Sequence, residues 1–225
     1  MSSEPVALPG TGPEPGTGRP WRGQSPQERR DARRRRLLDA ALELFGTTGY
    51  AATSLTALCA EAGVSTRHFY ESYDGREQLM ADLYDELVLE LGRLIAEAQD
   101  AVALTVRDRV RAGLRAALAF ETEDPRRARV LQLEVLGVST WLDAHRRDVI
   151  VGFGRQTDTQ YRLLAADGQV VDRPFEQQAI ALVGAFEELV IGWLLAAPRP
   201  SPDSLRAVAE EIFLAVFAAR EIPRA

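Results

Sequence analysis

The chain has 225 residues, 46% of them hydrophobic, and a formal net charge of −6. That is enough apolar material for a real core, in one large or two small domains, and it excludes a disordered polymer. No uninterrupted apolar run approaches the roughly 20 residues of a membrane span, and the N-terminus lacks the basic-then-apolar order of a signal peptide, so a cytoplasmic protein with no membrane partner is expected. All 27 basic residues are Arg, which removes the lysine of a Schiff base, of a phosphate-binding loop and of a general base. His68 and His145 are far apart, Cys59 is the single cysteine, and HExxH, CxxC, GxGxxG and GxSxG are all missing. No metal, cofactor or catalytic residue is therefore expected, and the chain does not read as an enzyme. Cys59 reads as a small packing residue on a helix face. Adjacent acids such as Glu187 and Glu188 diverge by about 100° on a helix and read as solvated charge.

Residues 1–24, rich in Pro, Gly, Ser and Thr without a hydrophobic period, read as a disordered arm. Charge is unevenly spread: residues 1–76 carry 10 Arg against 9 acids, and residues 77–225 carry 17 Arg against 24 acids. Arg19 to Arg36 is the extreme, with eight Arg against Glu28 and Asp31, a block suited to attracting phosphate. Ser25-Pro26-Gln27-Glu28 forms a capping box with proline at the first helical position. The helix it opens carries Leu37, Leu38, Ala41, Leu44 and Phe45 and is expected to stop at Gly46, with Gly49-Tyr50 continuing the connection.

Thr53 to Arg76 then reads as two short helices joined by a glycine turn, a helix-turn-helix. Thr53 or Ser54 can cap the first, Leu55, Leu58, Cys59 and Ala62 mark its buried stripe, and Gly63 ends it. Val64 plugs the turn and Ser65 caps the second helix. Thr66, Arg67 and His68 form its first exposed turn, and Phe69 and Tyr73 carry it on the core. The first turn of a recognition helix is where base edges are usually met. Asp74 or Gly75 caps a fourth helix, with Glu77 placed for a capping box, whose apolar set runs from Leu79 to Leu94 and whose end falls near Gln99. Beyond it the spans 104–121, 125–136, 138–165, 174–196 and 203–220 read as helices, with no lasting strand alternation. An all-α fold of about nine helices follows, divided as 1–24 arm, 25–76 helix-turn-helix domain and 77–225 larger helical domain.

The segment RRLLDAALELFGTTGYAATSLTALCAEAGVSTRHFYESYDGREQL resembles the N-terminal domain of TetR-family (tetracycline-repressor-like) transcriptional regulators over about residues 33–90. The resemblance rests on AALELFGTTGY, a threonine opening the second helix, AGVS in the turn, an aromatic-Tyr pair in the third helix and a basic residue entering the fourth. It implies double-stranded DNA as a partner. Thr53, Ser65, Tyr70 and Arg76 fall where the family grips phosphates, Ser54 is counted with them as DNA-binding, and Thr66, Arg67 and His68 would face the major groove, with Arg67 able to reach guanine. The chain departs from the pattern in having Arg76 for the usual lysine and Gly75 at a capping position. Glu71 in the recognition helix can read a cytosine amino group, orient Arg67, or repel phosphates.

The resemblance further implies a homodimer that represses from a palindromic operator and is released by a small apolar or amphipathic effector of unknown identity. The dimer interface is expected on the last two long helices, at Gly184, Leu189, Gly192, Leu205, Val208, Ile212 and Val216, with Ala181, Ala185 and Phe217 beside them. The effector pocket is expected between the fourth helix and residues 125–193, lined by some of Phe120, Leu133, Trp141, Phe153, Tyr161, Phe186 and Trp193. The competing readings are an activator or ligand-independent DNA-binding dimer, and a helical protein-interaction module.

Overall fold

The computed structural model describes residues 25–222; the expected arm at 1–24, with Arg19 and Arg22 of the basic block, lies outside them. Nine α-helices occur among the described residues: α1 Pro26–Thr47, α2 Leu55–Glu61, α3 Thr66–Tyr70, α4 Arg76–Asp100, α5 Val106–Glu123, α6 Pro125–Arg129, α7 Thr140–Ala166, α8 Glu176–Leu195 and α9 Pro202–Ala218. A π-helical turn, Val130–Glu134, continues α6. The β-type pairing among these residues is an isolated bridge between Val170 and Glu221, so the all-α expectation holds.

Local chemistry sets most helix starts. The Ser25 hydroxyl accepts the Glu28 N–H at 3.1 Å while the Glu28 carboxylate accepts the Ser25 N–H at 2.6 Å, completing the capping box of α1. Ser54, Ser65, Thr105, Ser139 and Ser201 cap α2, α3, α5, α7 and α9 in the same one-sided way. For α4 the cap is Gly75, which has no side chain to offer, and Gln78 Oε1 accepts the Asp74 N–H at 2.7 Å instead; the expected box with Glu77 does not form.

Two boundaries differ from expectation for tertiary reasons. α1 runs past Gly46, where a Cβ would stand 2.4 Å from Cβ of Arg126; this glycine admits α6 and does not end the helix. The left-handed residue that turns the chain is Gly49, at φ +96°. The expected helix at 125–136 is α6 plus the π-turn, in which the Val135 N–H reaches the Val130 carbonyl at 3.3 Å.

Packing joins these elements into one continuous core. The α1 stripe of Leu37, Leu38, Ala41 and Phe45 meets Leu58, Phe69 and Tyr73 of the helix-turn-helix and Leu79, Met80 and Leu83 of α4, all buried. α4 then continues along α5, α7 lies along α8, and α9 closes over α5 and α8. α8 is also long and apolar enough to cross a membrane by length and composition, with a mean hydropathy of 1.6 over a window only 33% buried. Its apolar character comes from two faces: Leu182, Phe186 and Val190 are in the core, whereas Ala181, Gly192 and Leu195 are exposed.

Gly46→Ala is a sharp test of the α1 to α6 packing. In an open helix the change is worth up to about 1 kcal/mol of added stability; against the backbone-proximal atoms of Arg126 it should destabilise by about 1–3 kcal/mol through overpacking. A lowered urea midpoint is expected, and a raised one would show that α6 moves aside freely.

Candidate functional site

α3 exposes a short, chemically varied surface. Gly63, at φ +59°, turns the chain, buried Val64 fills the angle, and Phe69 and Tyr73 anchor the helix, leaving Thr66, Arg67, His68 and Tyr70 toward solvent. Ser65 Oγ accepts the His68 N–H at 3.3 Å and lies 3.0 Å from His68 Nδ1. The Arg67 side chain is 90% exposed, with Nε 3.8 Å from Glu71 Oε1. The other Glu71 oxygen is 3.7 Å from Arg33 of α1, so Glu71 spans two arginines and steers Arg67. Exposed pairs of this kind add at most about 1 kcal/mol, which leaves Arg67 free to exchange partners.

The structure corrects three parts of the sequence reading here. Thr53 is buried, and its hydroxyl donates to the Gly49 carbonyl at 2.7 Å, so it braces the turn and offers nothing outward; Ser54 is the cap. Arg76 donates to the carbonyls of Tyr50 and Thr53 and lies 4.9 Å over the Tyr50 ring, fastening the start of α4 to the entrance of α2. The basic block is largely engaged within the fold. Arg34 bonds Asp82 at 3.0 Å and Arg35 bonds Glu86 at 2.6 Å, both on α4, and Arg36 donates to the Ala62 carbonyl at 3.1 Å.

Behind the helix-turn-helix, polar contacts tie it to the larger helical region. The Tyr50 N–H donates to Glu134 Oε2 at 2.7 Å, and Arg129 holds the other Glu134 oxygen at 2.8 Å. Arg126 bridges Glu43 of α1 and Asp124, and these bonds hold the Asp124 carboxyl below its ordinary pKa.

α4, α5, α7, α8, α9 and the π-turn enclose a cavity with about 120 Å³ of space open to a water-sized sphere. Its lining reaches along α4 from Tyr84 to Gln99, roughly 22 Å at the helical rise. The walls are mostly apolar, including Val88, Leu91, Leu114, Val183 and Phe213. Of the aromatic and apolar residues expected there, Phe153 and Phe186 line it. The other five do not. Phe120 faces Arg127, Leu133 packs on the core, Trp141 is 56% exposed and stacked on His145, Tyr161 stacks on Phe175 at 4.2 Å, and Trp193 donates its N–H to the Pro200 carbonyl.

The polar residues at the inner end were missed by the sequence reading. Glu121 is completely buried, and Gln132 Nε2 approaches its two oxygens at 3.4 and 3.2 Å. Desolvation pushes its carboxyl up to about 8, against the lowering effect of Gln132 and with a small further rise from Glu187. Glu187, read as solvated, instead pairs with Arg146 at 3.0 Å, and burial raises its pKa as well. A signal did exist: Glu121 lies four residues after Ala117 and seven after Leu114, on the buried stripe of α5.

No group of three His, Cys, Asp or Glu among the described residues could hold a metal ion. On α8 and α9 a further expectation changes. Leu205 is buried in its own core, while Gly184, Leu189, Ile212 and Val216 are half-buried and Gly192 and Val208 exposed.

Residues 37–83 match the family described as bacterial regulatory proteins, tetR family. No curated protein sequence matches the chain. Among solved structures, the chain is similar to the transcriptional regulator FadR from Bacillus subtilis in complex with stearoyl-CoA, at 17% identity and a TM-score of 0.71, covering 80% of this chain and 97% of that one. It is similar to the fatty acid degradation regulator FadR from Bacillus halodurans, at 18% identity and a TM-score of 0.72, with coverages of 80% and 97%. A TetR-like transcriptional regulator from Rhodococcus sp. RHA1 shares 25% identity at a TM-score of 0.64, with coverages of 84% and 97%. The likeness to these structures is one of fold.

Glu121 makes stability depend on pH. Its folded pKa, about 8, lies above the ordinary value of 4.5. Its contribution is therefore fully present below about pH 4.5 and is lost as pH rises through 8, at up to about 1.4 kcal/mol per pH unit. Urea denaturation of Glu121→Gln should show a midpoint that gains on the native protein from pH 5 to pH 8; parallel pH profiles for the two would contradict the buried, protonated carboxyl.

Proposed function

We propose that this chain, which matches the tetR-family model over residues 37–83 and shares the all-α fold of TetR-like structures, is a ligand-responsive, DNA-binding transcriptional repressor acting as a cytoplasmic homodimer. The observation that carries the reading is the exposed first turn of α3, where Thr66, Arg67 and His68 stand together beyond the Ser65 cap. In this reading residues 25–76 bind DNA and 77–225 hold effector and dimer contacts. Arg67 reads a base edge in the major groove, with Thr66 and His68 beside it. Ser54, Ser65, Tyr70 and the outward edge of Arg76 meet phosphates, and Thr53 acts indirectly by bracing the turn that Arg76 holds.

The dimer forms through the outer faces of α8 and α9, using Gly184, Leu189, Gly192, Val208, Ile212 and Val216. Leu195, 68% exposed, and Val208, 44% exposed, support this, because an apolar face of that kind gains by covering itself with a second copy. Two heads so joined meet half-sites about 34–36 Å apart.

The effector enters the cavity beside α4, and its elongated apolar shape suits a long amphipathic molecule; the related fold of FadR from Bacillus subtilis was solved with stearoyl-CoA. The π-turn supplies the link to DNA, since Gln132 lines the cavity and Glu134, two residues on, holds the Tyr50 N–H at the head. A ligand that prefers one arrangement of that turn shifts the head with it; one that binds both arrangements equally shifts nothing.

Fluorescence anisotropy on a palindromic fragment from upstream of the coding region, over a salt series, checks the DNA reading. Arg67→Ala should lose about 1–3 kcal/mol of preference at one base pair per half-site, and Tyr70→Ala should weaken all sequences alike. Absence of binding to this fragment and to a randomised operator library would sink it. For the dimer, Val208→Arg should yield monomers in equilibrium sedimentation at micromolar concentration, where the native chain is dimeric; a native monomer would rule out the interface.

A further inference from the structure

We propose that the cavity takes a lipophilic amine, an elongated apolar molecule whose protonated amino group sits between Glu121 and Gln132. The inference rests on the effector-responsive reading above and names the chemistry of that effector. Glu121 is wholly buried, and a glutamate in that position is rare unless a cation accompanies it. Its side-chain partner among the described residues is a neutral amide at 3.2 and 3.4 Å, longer than a charge-assisted bond. Gln132, only 4% exposed, spends its N–H on Glu121 and leaves Oε1 buried without a donor. An ammonium group brings a positive charge and up to three N–H donors, and so meets both needs at once.

Other head groups fit less well. The arginines that line or flank the cavity have their charge balanced in pairs, Arg146 with Glu187 at 3.0 Å and Arg109 with Asp100 at 2.8 Å, although each keeps a buried Nε without an acceptor. Beside Glu121 an anionic head meets a carboxyl and cations whose charge Glu187 and Asp100 already balance, and a purely apolar ligand leaves Gln132 Oε1 unpaired. The body of the ligand lies along Val88, Leu91, Leu114, Phe153 and Phe186. At the far end Gln160 Oε1 also lacks a donor, so a hydroxyl or amide there adds a second match.

Binding couples to a proton. The carboxyl O–H of Glu121 breaks, its proton passes to solvent, and the carboxylate pairs with the ammonium. Tyr84 of α4 and Glu187 of α8 are the titratable groups that act on Glu121, with Asp85 of α4 and His145 and Arg146 of α7 beside them. Arg146 pairs with Glu187 and His145 stands 2.6 Å from Asp85, so Glu121, without an ion-pair partner among the described residues, is the group whose charge the ligand changes. Affinity should rise about tenfold per pH unit on approaching pH 8 from below.

Titration calorimetry of the full chain with dodecylamine, dodecanoate and dodecyltrimethylammonium tests this. Dodecylamine should bind at least about tenfold more tightly than dodecanoate, and dodecyltrimethylammonium, charged but without N–H donors, should fall between them. Glu121→Gln should lose about tenfold or more for the amine and flatten its dependence between pH 6.5 and 7.5. Gln132→Leu provides a second variant, weakening dodecylamine more than dodecyltrimethylammonium. Dodecanoate binding as tightly as the amine, or unchanged amine affinity in both variants, overturns the proposal. DNA release is read separately by anisotropy: amine binding without release upholds the ligand class and defeats the regulatory reading, whereas release by dodecanoate alone upholds regulation and defeats the amine.

Discussion

One helix has to satisfy two packings at once. α4 is 25 residues long, and its first turns bury Leu79, Met80 and Leu83 against α1 and the helix-turn-helix, while Leu87 and Leu91 face the larger bundle and its cavity. Burying a leucine is worth about 1.5–3 kcal/mol, against at most about 1 kcal/mol for exposed pairs such as Arg34 with Asp82. Apolar burial therefore fixes where α4 lies, and the arginines of α1 set its register. A head anchored in this way cannot turn without moving the helix that forms one wall of the cavity.

The π-turn adds a second, polar connection. Side chains two positions apart on a helical turn point to roughly opposite sides, which is why Gln132 meets Glu121 and Glu134 meets the backbone of Tyr50. The same five residues thus touch the cavity and the turn before α2. Arg126 reinforces the junction from α6, held close by the bare backbone of Gly46. Strain at either side passes through packed and hydrogen-bonded atoms, which deform little before they switch.

Inside the bundle, apolar walls enclose a small polar minority. Folding places Glu121 where no cation among the described residues pairs with it, an arrangement that lowers stability at neutral pH. Local conflict of that sort concentrates at functional positions, where a ligand supplies what the fold leaves out. The paired Arg146 and Glu187 nearby show the ordinary alternative, a buried charge matched from within.

Much of the fold was legible because it is built from short-range rules. Ser25, Ser65 and Gly63 mark helix ends through contacts within four residues, and the stripes of α1 and α4 follow the helical period, so the helix-turn-helix and the nine helices could be read directly. The π-turn could not, since it answers to packing against α1, α4 and α8. Thr53 and Leu205 were assigned outward by residue type and position, yet both are buried: the Thr53 hydroxyl turns back on the Gly49 carbonyl, and Leu205 joins the core cluster. Aromatic character likewise misled the choice of cavity residues: Tyr161 satisfies itself on Phe175 and Phe217, leaving the polar end to Glu121 and Gln132. By itself the sequence determined the helices, most of their caps and the exposed first turn of α3, all of which depend on neighbours along the chain. Only the tertiary structure decided which side chains meet in the cavity and which arginines are spent on α4, because those pairings join residues tens of positions apart whose orientation is set by how whole helices pack.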